Sequence, residues 1–207
     1  MNSMTEEQVK AALTEVRKSY RLLHEFQRSA LDTVKYIGNR LGLNYMGSEH
    51  WFTDSSSPTG KGNLSKSAWD WLPMVLYCFN FQKDDDGGEK FRFSIFLFSD
   101  TGFFVSDSAL SDKTDVDSFA PPESSGTKLG FLFFYDWPKG FFLEREEIAE
   151  FIKNDGSLPS RFDGAMVIGT ISDFHKFSDE ESALVEIMKI VNIGKEKGFP
   201  LEPVSRN

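Results

Sequence analysis

Apolar side chains recur along the first forty residues at alternating steps of four and three, the spacing of a helix with a narrow packing seam. Thr5 and Gln8 form a capping-box sequence, and no Pro or Gly follows before Gly38. The pattern predicts one helix from about Glu6 to Leu41, and we expect its seam to bind another helix. The predicted interaction residues are Val9, Leu13, Val16, Tyr20, Leu23, Gln27, Val34 and Ile37.

The pattern leaves two occupants of this seam open. One is a second copy of the chain, which would make a homo-oligomer, and the other is the predicted C-terminal helix of the same chain. Gln27, the one polar seam position, would set the register of a helix pair through a side-chain hydrogen bond, or would face solvent while Phe26 packs instead.

The middle of the chain has the two-residue period and the turn residues of β-strands. Met74–Gln82 and Phe91–Phe98 flank a connection rich in Asp and Gly, which predicts a β-hairpin. Phe103–Ser106 is a further predicted strand, and Leu129–Trp137 is apolar on both faces, as expected of a central strand. We interpret residues 44–73 as a loop with aromatic anchors.

A helix, a strand and a second helix are predicted after this sheet. The helix over Leu143–Asn154 precedes a strand over Ala165–Ile171, and the last helix runs from Asp179 to about Lys197. Ser178 and Glu181 form a capping-box sequence at the start of this last helix.

The order of elements predicts an α+β fold in which C-terminal helices pack on a mostly antiparallel, Phe-rich sheet. A long N-terminal helix with a coiled-coil-like seam precedes the sheet. We therefore divide the chain into a helical arm, residues 1–43, and an α+β globular domain, residues 44–207.

Composition excludes several classes of protein. The 207 residues include 21 Phe, so the chain is too aromatic for a disordered acidic tail. A single cysteine, Cys78, excludes an internal disulfide, and its apolar strand predicts a buried thiol. The net charge of −9 makes nucleic acid an improbable partner. We expect a cytoplasmic protein without signal peptide, membrane partner or cofactor, because no segment has the required hydropathy or motif.

The acidic residues are concentrated in the connections between predicted strands. Residues 84–126 contain ten acidic and three basic residues, whereas residues 1–43 contain five acidic and seven basic ones. We predict an acidic rim that either keeps the surface solvated or attracts a basic partner. Its members are Asp84, Asp85, Asp86, Asp112, Asp115 and Asp117.

One tripeptide, Asp100-Thr101-Gly102, resembles the catalytic motif of the aspartic proteases. Val167-Ile168-Gly169 resembles the second element of the retroviral-type members, which complete their carboxylate pair by dimerising. Phe103 stands where that family has a small residue. Asp and Gly after a strand are also ordinary turn residues, and the turn is the interpretation that we favour.

Other catalytic signals are isolated residues. Asp136 ends a predicted strand and His50 adjoins Glu49 and Trp51, but no third group completes a triad and no spacing predicts a metal site. Lys61 and Lys66, near tryptophans, would suit a nucleotide. We therefore expect a non-enzymatic regulatory or adaptor protein that self-associates or binds a protein partner through the helix and presents the acidic rim. The alternative is a carboxylate- or metal-dependent hydrolase, nuclease- or protease-like, with Asp100, Asp136 or His50 at its centre.

Overall fold

The computed structural model describes residues 5–51, 76–84, 90–105, 116–135, 143–158, 167–199 and 201–204. The chain divides into two units, Met1–Tyr36 and Ile37–Asn207. The division falls within the predicted arm, so the last turn of the long helix belongs to the second unit.

The long N-terminal helix forms as its period predicts. Helix α1 spans Glu6–Arg40. The Thr5 amide donates to Gln8 Oε1 at 2.9 Å, and the Gln8 amide donates to Thr5 Oγ1 at 3.3 Å, which confirms the capping box. These two bonds satisfy amide donors that the first helical turn cannot pair within itself.

Five antiparallel strands form one sheet, in which neighbours in sequence are also neighbours in space. This arrangement confirms the α+β fold and the β-hairpin. The strands are β1 (Asn44–Trp51), β2 (Leu76–Asp84), β3 (Lys90–Phe98), β4 (Lys128–Tyr135) and β5 (Val167–Asp173).

Strand β1 corrects the prediction that residues 44–73 are a loop; of that range, residues 52–73 lie outside the described part of the chain. The strand pairs with β2 at the sheet edge, with a bulge between Tyr45 and Gly47. Trp51 is its one buried residue. Hydrogen bonds to β2, rather than burial of side chains, hold this polar edge strand in place. Its sequence therefore shows no alternation of apolar and polar residues from which a strand could be predicted.

A short helical turn, α2 (Gly102–Val105), replaces the strand predicted over Phe103–Ser106. The Asp100 carboxylate accepts a hydrogen bond from the Gly102 amide at 2.8 Å and so starts the turn. Phe103 and Phe104 are both buried. Successive residues of a strand face opposite sides, whereas a helical turn lets both rings enter one core.

One face of the sheet, here called the α3 face, packs against α3 (Arg145–Lys153). Ile148 and Phe151 of this helix join a buried cluster with Leu132 and Phe134 of β4. A Cβ atom added to Gly130 or Gly169 would lie 2.9 or 2.6 Å from the ring of Phe151. The Phe151 ring therefore packs on the sheet over Gly130 and Gly169, which have no side chains.

The opposite face, here called the α4 face, packs against α4 (Glu180–Glu196) and the segment that follows it. Ring centroids of Phe91 and Phe133 lie 5.6 and 5.9 Å from that of Phe199. A Cβ atom on Gly38, in the last turn of α1, would lie 2.5 Å from Phe81 Cε1. Gly38 thus allows that turn to approach the sheet closely. Strand β4 is thus an interior strand covered on both faces, as its two apolar faces predicted, although β3 is the middle strand of the five.

Two smaller predictions have different outcomes. Asp179, not Ser178, caps α4: its carboxylate accepts a hydrogen bond from the Ser182 amide at 2.8 Å. An adjacent Ser-Asp pair offers two possible cap residues, and the backbone angles select the second. Cys78 is fully buried, as predicted, and its burial raises the pKa of its thiol.

Candidate functional site

The first unit exposes the N-terminal part of the predicted seam. Val9, Leu13, Val16, Tyr20 and Leu23 are all exposed, with Leu13 at 50% and Tyr20 at 67% of full accessibility. Single exposed apolar residues are ordinary on protein surfaces. Five of them at heptad spacing on one helix form a continuous stripe, which is the geometry of an interaction surface.

The remaining seam positions differ from these five. Val34 and Ile37 are buried, so they do not belong to the exposed stripe. Gln27 is half-buried, and its Nε2 is a buried donor without a hydrogen-bond partner in the described part of the chain. The exposed stripe is therefore limited to Val9–Leu23, about two heptads.

Charged residues of α1 form ion pairs along the helix. Glu6 pairs with Lys10, and Glu15 with Lys18 at 2.8 Å. Such pairs at three or four residues' spacing stabilise a helix by about 0.2–0.5 kcal/mol each. These ion pairs stabilise the exposed part of α1 without covering its apolar stripe.

The second unit contains a cavity of about 390 Å³ on the α3 face of β1, β2 and β3, here called the polar pocket. Met46 and Phe134 line it, as does Phe81, whose ring packs against Phe93 on the opposite face of the sheet. Its polar lining residues are Glu49, Asn80, Gln82, Arg92 and Ser94.

Strand register explains why the sheet opens here. Asn80 lies opposite Ser94 on β3 and opposite Gly47 on β1. Gly47, with φ of +138°, follows the β1 bulge and contributes no side chain to this row. Short side chains in one row, beside a bulge that redirects the edge strand, leave a hollow on an otherwise filled face.

Buried hydrogen bonds fix the floor of the polar pocket. Ser94, only 1% exposed, donates from Oγ to Asn80 Oδ1 at 2.7 Å, and the Cys78 thiol donates to the same oxygen at 3.4 Å. With Oδ1 accepting both bonds, the Asn80 Nδ2 group is left as a donor. The Cys78 thiol stays protonated, because burial and the nearby Glu49 charge raise its pKa.

Arg92 lies on β3, between Gln82 of β2 and Phe134 of β4. Its side chain is half-buried, and its Nε is a buried donor that has no hydrogen-bond partner among the residues that the structure describes. Across the described residues, no ion pair satisfies this guanidinium. An arginine placed in a sheet interior without a carboxylate is unusual, since buried charges are normally paired.

The predicted catalytic residues do not assemble into a site in the described structure. Asp100 forms the favoured turn, and the cavity beside it, about 280 Å³, is lined by Ser99, Pro122, Ser125, Gly126 and Thr127. This described lining adds neither a second carboxylate nor an imidazole to Asp100. Val167-Ile168-Gly169 is the start of β5 and pairs with β4.

His50 lies on β1, opposite Tyr77. Asp136 lies outside the described residues, as do Lys61 and Lys66. Among the side chains that the structure describes, no three His, Cys, Asp or Glu residues converge where they would hold a metal ion.

The acidic rim is described only in part. Asp84 is the last residue of β2, and Asp117 lies in a short 3₁₀ turn over Val116–Ser118. Asp85, Asp86, Asp112 and Asp115 lie outside the described residues. The rim therefore remains a prediction from sequence.

Sequence reasoning missed the polar pocket. A signal was present: Asn80, Arg92 and Ser94 are polar residues that interrupt the apolar runs over residues 76–81 and 91–98. Their positions place all three on one face once the hairpin register is known. Without that register they resemble ordinary surface positions of an amphipathic strand.

The fold defines an α+β protein in which a five-stranded antiparallel sheet follows a long helix. The family model designated PM0109 matches residues 6–198, so the chain belongs to the PM0109 family. Comparison with curated proteins found no match. Comparison with solved structures found none either. Within the described residues, no helix has the length and apolarity needed to cross a bilayer.

Proposed function

We propose that this protein is a non-enzymatic, cytoplasmic regulatory or adaptor protein that self-associates through helix α1. The exposed stripe from Val9 to Leu23 is the observation that carries the proposal. An apolar stripe with heptad spacing buries its side chains best against another helix of the same pattern.

A second copy of the chain is the occupant that the flanking charges favour. With Leu13 and Tyr20 at the heptad a positions, Lys10, Arg17 and His24 occupy e positions. The g positions hold the uncharged Ala12, Ser19 and Phe26. In a parallel pair each e position faces a g position of the other helix, so no like charges meet.

The opposite orientation is disfavoured by the same residues. In an antiparallel pair, e positions face e positions, which would set Arg17 near its own copy and Lys10 near His24. Like charges in such positions repel. The proposal is therefore a parallel homodimer, with Gln27 at an a position where a polar pair selects register and oligomeric state.

The acidic rim completes the proposed function as a docking surface for a basic protein partner. The excess of acidic residues over residues 84–126 supports this part. Binding through the rim would weaken steeply as ionic strength rises, because exposed charges separated by more than about 10 Å are screened at 0.1 M salt. Capture of a basic partner that is equally strong at low and high salt would contradict it.

Sedimentation equilibrium of the full chain tests self-association. We expect a dimer for the parent protein and for Leu22→Glu, and a monomer for Leu13→Glu. Leu22 is the matched control, because it is an exposed leucine of α1 that lies off the seam, 72% accessible. Circular dichroism would verify that both variants remain folded. A monomeric parent chain, or equal effects of the two substitutions, would refute the proposal.

Oxidative cross-linking tests the parallel orientation. In a parallel pair, Leu13→Cys places two thiols at one level of the seam, so a disulfide-linked dimer should form. The native Cys78 is buried and should not compete. In an antiparallel pair the two introduced thiols would be far apart. Rapid cross-linking of a cysteine at Leu22 but not at Leu13 would exclude the proposed seam.

A further inference from the structure

We propose that the polar pocket binds a small organic monocarboxylate, with Arg92 as the residue that pairs with the carboxylate. This site is independent of the proposed self-association, because all its residues belong to the second unit. The inference rests on the cavity, on the Arg92 guanidinium, which has no ion-pair partner among the described residues, and on the Asn80 amide donor beside it.

Arg92 supplies the charge. It is the one cationic side chain among the described residues that line the cavity. Its neighbours along β3, Phe91 and Phe93, are fully buried, so the strand backbone that carries the side chain is held in place. Arginine presents its N–H donors in a planar fork that matches a carboxylate bidentately.

Asn80 supplies a second donor. Its Oδ1 is engaged by Ser94 and Cys78, which leaves its Nδ2 protons for a ligand. Asn80 and Arg92 project on the same face from adjacent hydrogen-bonded strands, two residue pairs apart in the register. Two converging donors on rigid strands, beside an apolar wall, are typical of a small-molecule site.

The charge balance selects a monoanion. A single guanidinium neutralises one negative charge, and Glu49 at the rim of the cavity would repel a second. A phosphate dianion would meet this repulsion as well as the net charge of −9. Glu49 of β1 lies opposite Cys78, whose pair is four residue pairs along the β2–β3 register from that of Arg92, and among the described residues the two side chains form no ion pair.

The remaining wall favours an apolar body on the ligand. Phe134 is buried on β4 beside Arg92, and Met46 adds a flexible thioether at the edge strand. A cavity of about 390 Å³ is within the size range of small-molecule sites. An aromatic or branched monocarboxylate would use both the donors and this wall.

Titration of the ¹⁵N-labelled full chain with benzoate, phenylacetate and isovalerate, followed by NMR, tests the inference. At least one of these probes should shift the amide signals of Asn80, Arg92 and Ser94 in a saturable manner. Benzamide, which has the shape of benzoate without its charge, should bind at least about tenfold more weakly, as expected for loss of a charge-assisted pair. Phenyl phosphate serves as the dianion probe and should also bind more weakly.

Substitutions locate the binding. Arg92→Gln should weaken carboxylate binding about tenfold or more, since it removes the charged partner. Asn80→Asp, which keeps the shape and the acceptor oxygen, should weaken it as well. Arg21→Gln, which removes an arginine of the exposed helix, is the matched control and should leave the affinity unchanged.

Three outcomes would overturn the inference. The first is the absence of saturable shifts at the polar pocket with all three carboxylates at about 10 mM, a concentration that detects even weak sites. The second is equal binding of benzoate and benzamide. The third is unchanged binding by a folded Arg92→Gln variant. None of these outcomes depends on the oligomeric state of the chain.

Discussion

The Val9–Leu23 stretch of α1 and the sheet both present apolar residues at a regular period, yet within the described chain the sheet buries them and this stretch leaves them exposed. On the sheet, Phe93 and Phe133 are fully buried with ring centroids 4.9 Å apart. On the helix, Leu13 and Tyr20 remain at least half accessible. A period therefore shows which side chains share a face, whereas burial depends on what the rest of the chain places against it.

The two regions also differ in how they are held. The exposed helix depends on its capping box and on ion pairs such as Glu25–Arg28. Helices without tertiary packing are marginally stable in water. The sheet is held by a continuous aromatic core. Substitutions should therefore act through folding in the sheet and through association in the helix.

Truncation of a core ring should have the largest effect. Phe93→Ala should lower the free energy of unfolding by about 3–5 kcal/mol, because it leaves a cavity among Phe81, Phe131 and Phe133. Tyr20→Ala should change it by no more than about 0.5 kcal/mol per monomer. Urea denaturation, at a protein concentration below the dissociation constant of the proposed dimer, measures the free energy of unfolding of both variants. Similar losses in both variants would break the distinction between the two regions.

An added methyl group should sharpen the comparison within the sheet. Gly169→Ala should destabilise the fold by about 1–3 kcal/mol, because its Cβ would overlap the carbonyl oxygen of Gly156 as well as the Phe151 ring. Gly126→Ala is the control: its Cβ would lie 3.9 Å from Thr101 Oγ1, an ordinary contact. Thermal unfolding of the two variants gives the difference. Equal melting temperatures of the Gly169→Ala and Gly126→Ala variants would contradict the prediction that position 169 has no room for a side chain.

The smallest effect concerns an ion pair at the end of the sheet. Lys128 donates to Asp173 at 2.7 Å and holds the pKa of this carboxyl below its ordinary value, against a smaller opposing effect of burial. Because the folded-state pKa is the lower one, its stabilisation is complete above the unfolded-state pKa. It is lost as the pH falls through the folded-state value.

Asp173→Asn should therefore cost about 1 kcal/mol or less at pH 7, and the difference should disappear as the pH falls below the folded-state pKa of Asp173. Urea denaturation at several pH values, combined with Lys128→Met in a double-mutant cycle, measures the coupling. A coupling energy that is constant from pH 2 to pH 7 would contradict the assignment.

Much of the fold could be predicted from the sequence. Strong periods located α1, the β2–β3 hairpin, the interior strand β4 and α4 to within a few residues. Turn chemistry also favoured the correct role for Asp100. These features depend on interactions between residues close in sequence, which local patterns record.

The errors share a physical cause. Strand β1 is polar and exists through pairing with β2, and the helical turn at Phe103 exists because two adjacent rings enter one core. Both depend on residues distant in sequence. The polar pocket was missed for the same reason, since Asn80, Arg92 and Ser94 meet only through the strand register.

The sequence by itself determined the types of most elements, their order and the heptad stripe, because these follow from the spacing of apolar residues and from local turn and cap residues. Only the tertiary structure decided that the stripe from Val9 to Leu23 is exposed while Ile37 is buried. It also decided that Arg92 lines a cavity and, among the described residues, forms no ion pair with a carboxylate. Exposure and side-chain convergence are properties of the assembled chain, because each depends on residues far apart in sequence.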